Sequence, residues 1–157
     1  MRSLPRYFLA SLMMWTGTIA DSAQVPYNDP RIERLETFFT SYGCPTPQHA
    51  QDYVEAADVF QIDYRVLPAI SLLESTCGVN ARWNNRWGWN RAQGSFESIT
   101  EGIAFITSQL ADGDPYRDKT LEEKLFTYNP ERSYPRKVKR LMTEIEAEPP
   151  PADNAEY

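Results

Sequence analysis

Histidine and cysteine are almost missing from this chain: one histidine, His49, and two cysteines, Cys44 and Cys77, stand among 157 residues. Zinc and copper sites draw three or four ligands largely from those residue types, so no metal site is expected and no cofactor is implied. His49 reads as a helix-surface residue. Positive charge is short as well, with 16 Lys and Arg against 22 Asp and Glu, which excludes nucleic acid as a partner by charge. Long apolar runs are lacking. The stretch from Tyr7 to Trp15 is too short for a comfortable bilayer span, and no other segment could cross one, so no membrane span is expected.

That short apolar stretch has a second meaning. It follows Arg2 and Arg6 and runs into small residues at Thr18, Ala20, Ser22 and Ala23, the order of a secretory signal peptide over residues 1–22. A periplasmic or secreted location follows. Cleavage after Ala20 or Ser22 leaves 14 basic and 21 acidic side chains, a formal charge of −7. About 135 residues remain, enough for one monomeric domain with a single hydrophobic core, over 23–146. In an exported chain Cys44 and Cys77 are expected to pair, two buried free thiols being the alternative. The bridge would close a loop of about 33 residues and stabilise by about 3–4 kcal/mol in the chain-entropy view.

Helical signals dominate the mature part. Asp29-Pro30 marks an N-cap and first position, with Ile32, Leu35, Phe38, Phe39 and Tyr42 at helical spacing over 30–42. Thr46-Pro47 repeats that start for a second helix bearing Ala50, Tyr53, Val54 and Ala57. Asp63 is expected to cap a third helix, bent by Pro68 in its second turn and ended by Gly78. Residues 79–96 lack a helical period and read as a loop or small hairpin. Ser98 with Glu101, and Thr120 with Glu123, are capping boxes for two further helices, and Pro135 opens a last one. The fold class is mainly α. From residue 147 the acidic, proline-rich tail is expected to be disordered.

Glu74 is the chemically pointed residue. At about 100° per residue it falls between Leu67 and Ile70 on the apolar face of the third helix. Burial and the negative end of the helix dipole both favour its neutral, protonated form there. A neutral acid can donate a proton to a leaving oxygen, as glycoside hydrolysis requires; a glutamate turned to solvent or paired with a buried arginine is the bland alternative. Directly after this helix, Trp83, Trp87 and Trp89 are interleaved with Asn84, Asn85, Arg86, Asn90 and Arg91. Aromatic faces stack on pyranose rings while amides and guanidinium groups bond hydroxyls and acetamido carbonyls, so the segment suits a sugar platform. Gly88, between two tryptophans, would let a sugar ring approach the backbone. The competing reading makes the tryptophans a cap on the core.

Glu74-Ser75-Thr76-Cys77-Gly78 resembles the Glu-Ser-x-x-Gly signature of the lysozyme-like superfamily, shared by soluble lytic transglycosylases, goose-type lysozymes and bacterial endo-β-N-acetylglucosaminidases. Asn84-Asn85-Arg86-Trp87-Gly88-Trp89 is similar to the Asn-x-aromatic-Gly-aromatic segment of the glucosaminidase branch, and Thr127-Tyr128-Asn129-Pro130 to the later Tyr-Asn segment. The three motifs span about 55 residues in the family order. The resemblance implies a lysozyme-like helical domain acting on peptidoglycan glycan strands, with Glu74 as general acid and Ser75 orienting the site. It further implies substrate contacts from Ser75, Asn84, Asn85, Trp87, Trp89 and Asn129, and a cleft wall or charge-stabilising role for Tyr128. The Gly-Leu-Met-Gln stretch typical of lytic transglycosylases is replaced here by Trp-Gly-Trp, which favours a glucosaminidase or muramidase. Glu101 is explained by its capping position, so Glu97 is the candidate second carboxylate; a single acid suffices if the substrate's N-acetyl group assists. The rival readings are a lytic transglycosylase and a non-catalytic glycan-binding or envelope-assembly module on the same fold.

Overall fold

The computed structural model describes residues 29–147. The expected signal peptide, and the tail beyond Ala147, lie outside them. Six helices follow in order: α1 (Pro30–Ser41), α2 (Ala50–Phe60), α3 (Val66–Ser75), α4 (Ile99–Asp112), α5 (Leu121–Tyr128) and α6 (Tyr134–Ala147). None is long and apolar enough to cross a membrane.

α1 starts where Asp29 accepts the Arg31 N–H at 2.8 Å, with Pro30 in the first turn. α4 starts at Ser98, whose hydroxyl accepts from Glu101 N–H, and α5 at Thr120, with the reciprocal Glu123 contact in place. Each cap satisfies backbone donors that the first helical turn leaves without partners. α2 begins later than Thr46-Pro47 suggests, at Ala50, because His49 takes a left-handed conformation before it. His49 is half-buried, with Nδ1 2.8 Å from Asp52 Oδ2.

α3 is the centre of the fold. Val66, Leu67, Pro68, Ala69, Ile70 and Ser71 are all buried, so its N-terminal half is enclosed on every side rather than along one stripe. It packs on α6 and α4, while α2 packs on α4 and α1 on α2 and α6. Leu35, Phe38, Val54, Ile103, Ile106, Val138 and Ile145 complete the core around it. Asp63 caps the turn before α3, accepting from Arg65 N–H at 3.0 Å, and the helix itself opens at Val66. Pro68 therefore lies in the first turn, where a missing N–H removes no intrahelical bond, and no bend is required of it.

The end of α3 is tied down twice. Thr76 and Cys77 turn left-handed, with φ of 54° and 56°, and their N–H groups return to Leu72 and Ser71 carbonyls. Cys77 is joined to Cys44 in a disulfide, with the α-carbons 5.5 Å apart. α3 ends at Ser75, three residues before Gly78. Residues 79–96 form successive turns and contain no strand, so the hairpin alternative is not what forms.

Candidate active site

Glu74 projects from the last turn of α3 and is half-buried. Gly88 adjoins it: a β-carbon at position 88 would stand 2.8 Å from Glu74 Oε2. The space freed by that glycine is thus occupied by the carboxyl group, where the sequence suggested a sugar. Ser75, buried beside Glu74, is a structural clasp rather than a substrate contact. Its hydroxyl donates to Arg86 carbonyl oxygen at 2.6 Å and accepts from Gly78 N–H at 2.8 Å, fixing the tryptophan loop to the helix end.

The loop 83–96 is organised by two asparagines. Asn85 is only 4% exposed; its amide nitrogen donates to the Trp89 and Gly94 carbonyls at 2.9 and 3.0 Å, and its oxygen accepts from Trp89 N–H at 2.9 Å. Asn84 donates to the Phe96 and Glu97 carbonyls, and Phe96 N–H returns to Trp83 oxygen at 3.0 Å. These asparagine side chains supply backbone pairing that a loop lacks, the alternative being unsatisfied groups. Both amides hold the loop, and Asn85, buried with its nitrogen and oxygen both engaged, is not the sugar-binding amide the sequence suggested.

The three tryptophans separate. Trp87 is 0% exposed and meets Tyr53 and Phe96 edge-on, so it caps the core and cannot be a platform. Trp83 is 60% exposed. Trp89 is the one that shapes a cleft: with Phe105, Tyr116 and Tyr128 it makes ring contacts at 5.8–6.2 Å. That cleft has a volume of about 600 Å³ and takes in Gly88, Phe96, Asn90, Arg91 and Glu101. Glu74 does not line it directly but adjoins it through Gly88.

Two phenols complete the surroundings of the carboxyl. Tyr128, at the end of α5, donates to the Trp87 carbonyl oxygen. Burial first, then the charge of Glu74, holds its pKa well above the ordinary tyrosine value. Tyr134, the first residue of α6, stacks on Tyr128 with rings 11° apart. Its hydroxyl is buried without a partner at hydrogen-bond geometry, yet it faces the Glu74 carboxyl closely enough to interact with it. Burial, then Glu74, then Tyr128 raise its pKa. Both phenols therefore stay neutral, and Tyr134 keeps a proton available beside the carboxyl.

Glu97 is exposed and outside the cleft; its backbone N–H donates to Glu101 Oε2 at 2.5 Å. The carboxylate on the cleft wall is Glu101. Asn129 caps the end of α5, its side-chain oxygen accepting from Glu131 N–H at 3.1 Å, and lies off the cleft. Among the described residues no cluster of three metal-ligating side chains occurs. Tyr134, Tyr116 and Phe105 were not singled out by sequence reasoning; Tyr134 carried one weak signal, an aromatic at a helix start just before Pro135. No family model matches this chain, and no curated protein or solved structure matches it.

Proposed function

We propose that this domain cleaves β-1,4 glycosidic bonds between the N-acetylated sugars of peptidoglycan glycan strands, as an exported monomer, with Glu74 as general acid. One observation carries the reading: a carboxyl facing the buried hydroxyl of Tyr134 adjoins a 600 Å³ aromatic cleft. An aromatic cleft suits the apolar faces of sugar rings, and the adjoining acid suits protonation of a glycosidic oxygen.

In this reading Glu74 gives its proton to the bridging oxygen as the bond from that oxygen to the anomeric carbon breaks. Glu97 lies outside the cleft, which supports a reading in which the substrate's own acetamido oxygen assists. That oxygen bonds to the anomeric carbon, and water then opens the ring formed, returning a proton to Glu74. Tyr128 forms part of the cleft wall, its own proton being engaged by Trp87.

Glu74→Gln is expected to keep the fold and lower the rate of turbidity loss of purified cell walls by about 10²–10⁴-fold. Substantial activity in that variant removes the catalytic assignment. Mass spectrometry of the released fragments then separates hydrolysis, with reducing ends, from the lytic transglycosylase reading, with anhydro ends.

A further inference from the structure

Within this acidic chain, the cleft holds a cation that the fold leaves unused. Arg31, Arg65 and Arg117 each pair with an aspartate at 2.6–2.9 Å. Arg91 lines the cleft, is exposed, and has no ion pair among the described residues. The nearby carboxylate on the cleft wall, Glu101, turns Oε2 to the Glu97 N–H instead.

The backbone holds Arg91 in place in an unfavourable way. Asn90, Arg91 and Ala92 follow one another in the left-handed region, with φ of 53°, 56° and 61°. Ala92 N–H closes on Gly88 oxygen at 2.9 Å and Gln93 N–H on Asn90 oxygen at 3.0 Å. Asparagine tolerates that conformation; arginine and alanine adopt it at a cost in free energy. Of the three, Asn90 and Arg91 line the cleft. The tight turn therefore fixes the backbone of Arg91 at the edge of a sugar-sized aromatic cleft, and among the described residues no anion pairs with its guanidinium.

We infer that Arg91 is the specificity-determining residue of this cleft, selecting glycans whose sugars carry a carboxylate substituent. The inference rests on the glycan-cleaving reading above and names the ligand class within it. A planar guanidinium takes a carboxylate through two parallel hydrogen bonds. A polyphosphate-bearing polymer fits less well, because the chain's net charge of −6 repels a dense polyanion. One arginine matches the single free carboxylate that each repeating unit of a peptide-free strand carries.

The test compares two ligands that differ only in that charge: peptide-free peptidoglycan glycan strands with their ether-linked carboxylates intact, and the same strands with those carboxyls converted to primary amides. Affinities are measured by calorimetry at low salt on the full chain carrying Glu74→Gln, which leaves the strands uncut. The protein with Arg91 is expected to prefer the carboxylate form about tenfold. Adding Arg91→Gln, which keeps side-chain length, should bring that ratio close to one, and Arg91→Lys should retain part of it. No preference in the protein with Arg91, or a preference that survives Arg91→Gln, overturns the inference and leaves the glycan reading standing. Failure to bind either strand rejects the glycan reading and this inference together.

Discussion

Gly88 and Glu74 occupy adjoining space, such that a β-carbon on the glycine would stand 2.8 Å from Oε2 of the carboxylate. Gly88 also has a φ of +65°, which side chains adopt at a cost. Gly88→Ala therefore combines backbone strain of about 1–2 kcal/mol with displacement of the Glu74 head. The head is the free end of a flexible side chain, so it moves rather than breaking the fold. Activity should fall about a hundredfold, the usual scale for a catalytic group shifted by about 1 Å. Gly43 supplies the control: its φ is also +65°, with nothing within 4 Å of an added β-carbon. Gly43→Ala should lose similar stability and keep activity. Equal activity losses in the two variants would refute the positional role of Gly88.

Trp87 and Trp89 should respond in opposite ways to truncation. Trp87→Ala empties a fully buried site and is expected to lower unfolding stability by about 3–5 kcal/mol. Trp89→Ala opens the cleft wall beside Tyr116 and Tyr128, and should weaken binding of N-acetylglucosamine oligomers by about 1–3 kcal/mol, by analogy with stacking on aromatic platforms. Urea denaturation and oligomer titration on both variants check this. Unchanged oligomer affinity in Trp89→Ala would remove the cleft as the sugar site.

The two tryptophans also mark where sequence reading reaches its limit. The helices were legible because their signals are local: Asp29-Pro30, Ser98 and Thr120 with Glu123 each act within one turn of the residue they cap. The cysteine pair was legible from the expected compartment. Pro68 was misplaced because its effect depends on where α3 starts, and Asp63 acts on the turn before it. In the loop 83–96 no period separates inside from outside, so composition revealed aromatics and amides without their directions. Asn85 faces inward to hold the backbone, and its neighbours Trp87 and Trp89 part accordingly. Spacing reads Ser98 with Glu101 as a capping box, but only the Ser98 half forms: the Glu101 carboxylate accepts from Glu97 N–H instead and stands on the cleft wall. Tyr134 reaches Glu74 across sixty residues of chain, a relationship made by the packing of α3 on α6 and carried by no local pattern.

Alkaline pH should expose the buried phenols, and Tyr53 gives the clearest case. Its hydroxyl is buried without a hydrogen-bond partner. Burial pushes its pKa up from 10.0 to about 12, countered in part by the Ser71 hydroxyl facing it. Below pH 10 the phenol is protonated in both folded and unfolded chains, so the stability is fully present. Between pH 10 and 12 the unfolded chain loses the proton first, which favours unfolding by a contribution on the order of 2–3 kcal/mol by pH 12. Tyr128 and Tyr134 act in the same direction, since their values are also raised. Tyr53→Phe removes one such group together with an unpartnered buried hydroxyl. Its stability at pH 7 should stay within about 1 kcal/mol of wild type. Its loss of stability above pH 10 should be shallower. Urea midpoints taken at pH 7, 9, 10 and 11 on both proteins measure the difference, and an identical alkaline slope in Tyr53→Phe would show that this phenol does not couple folding to pH.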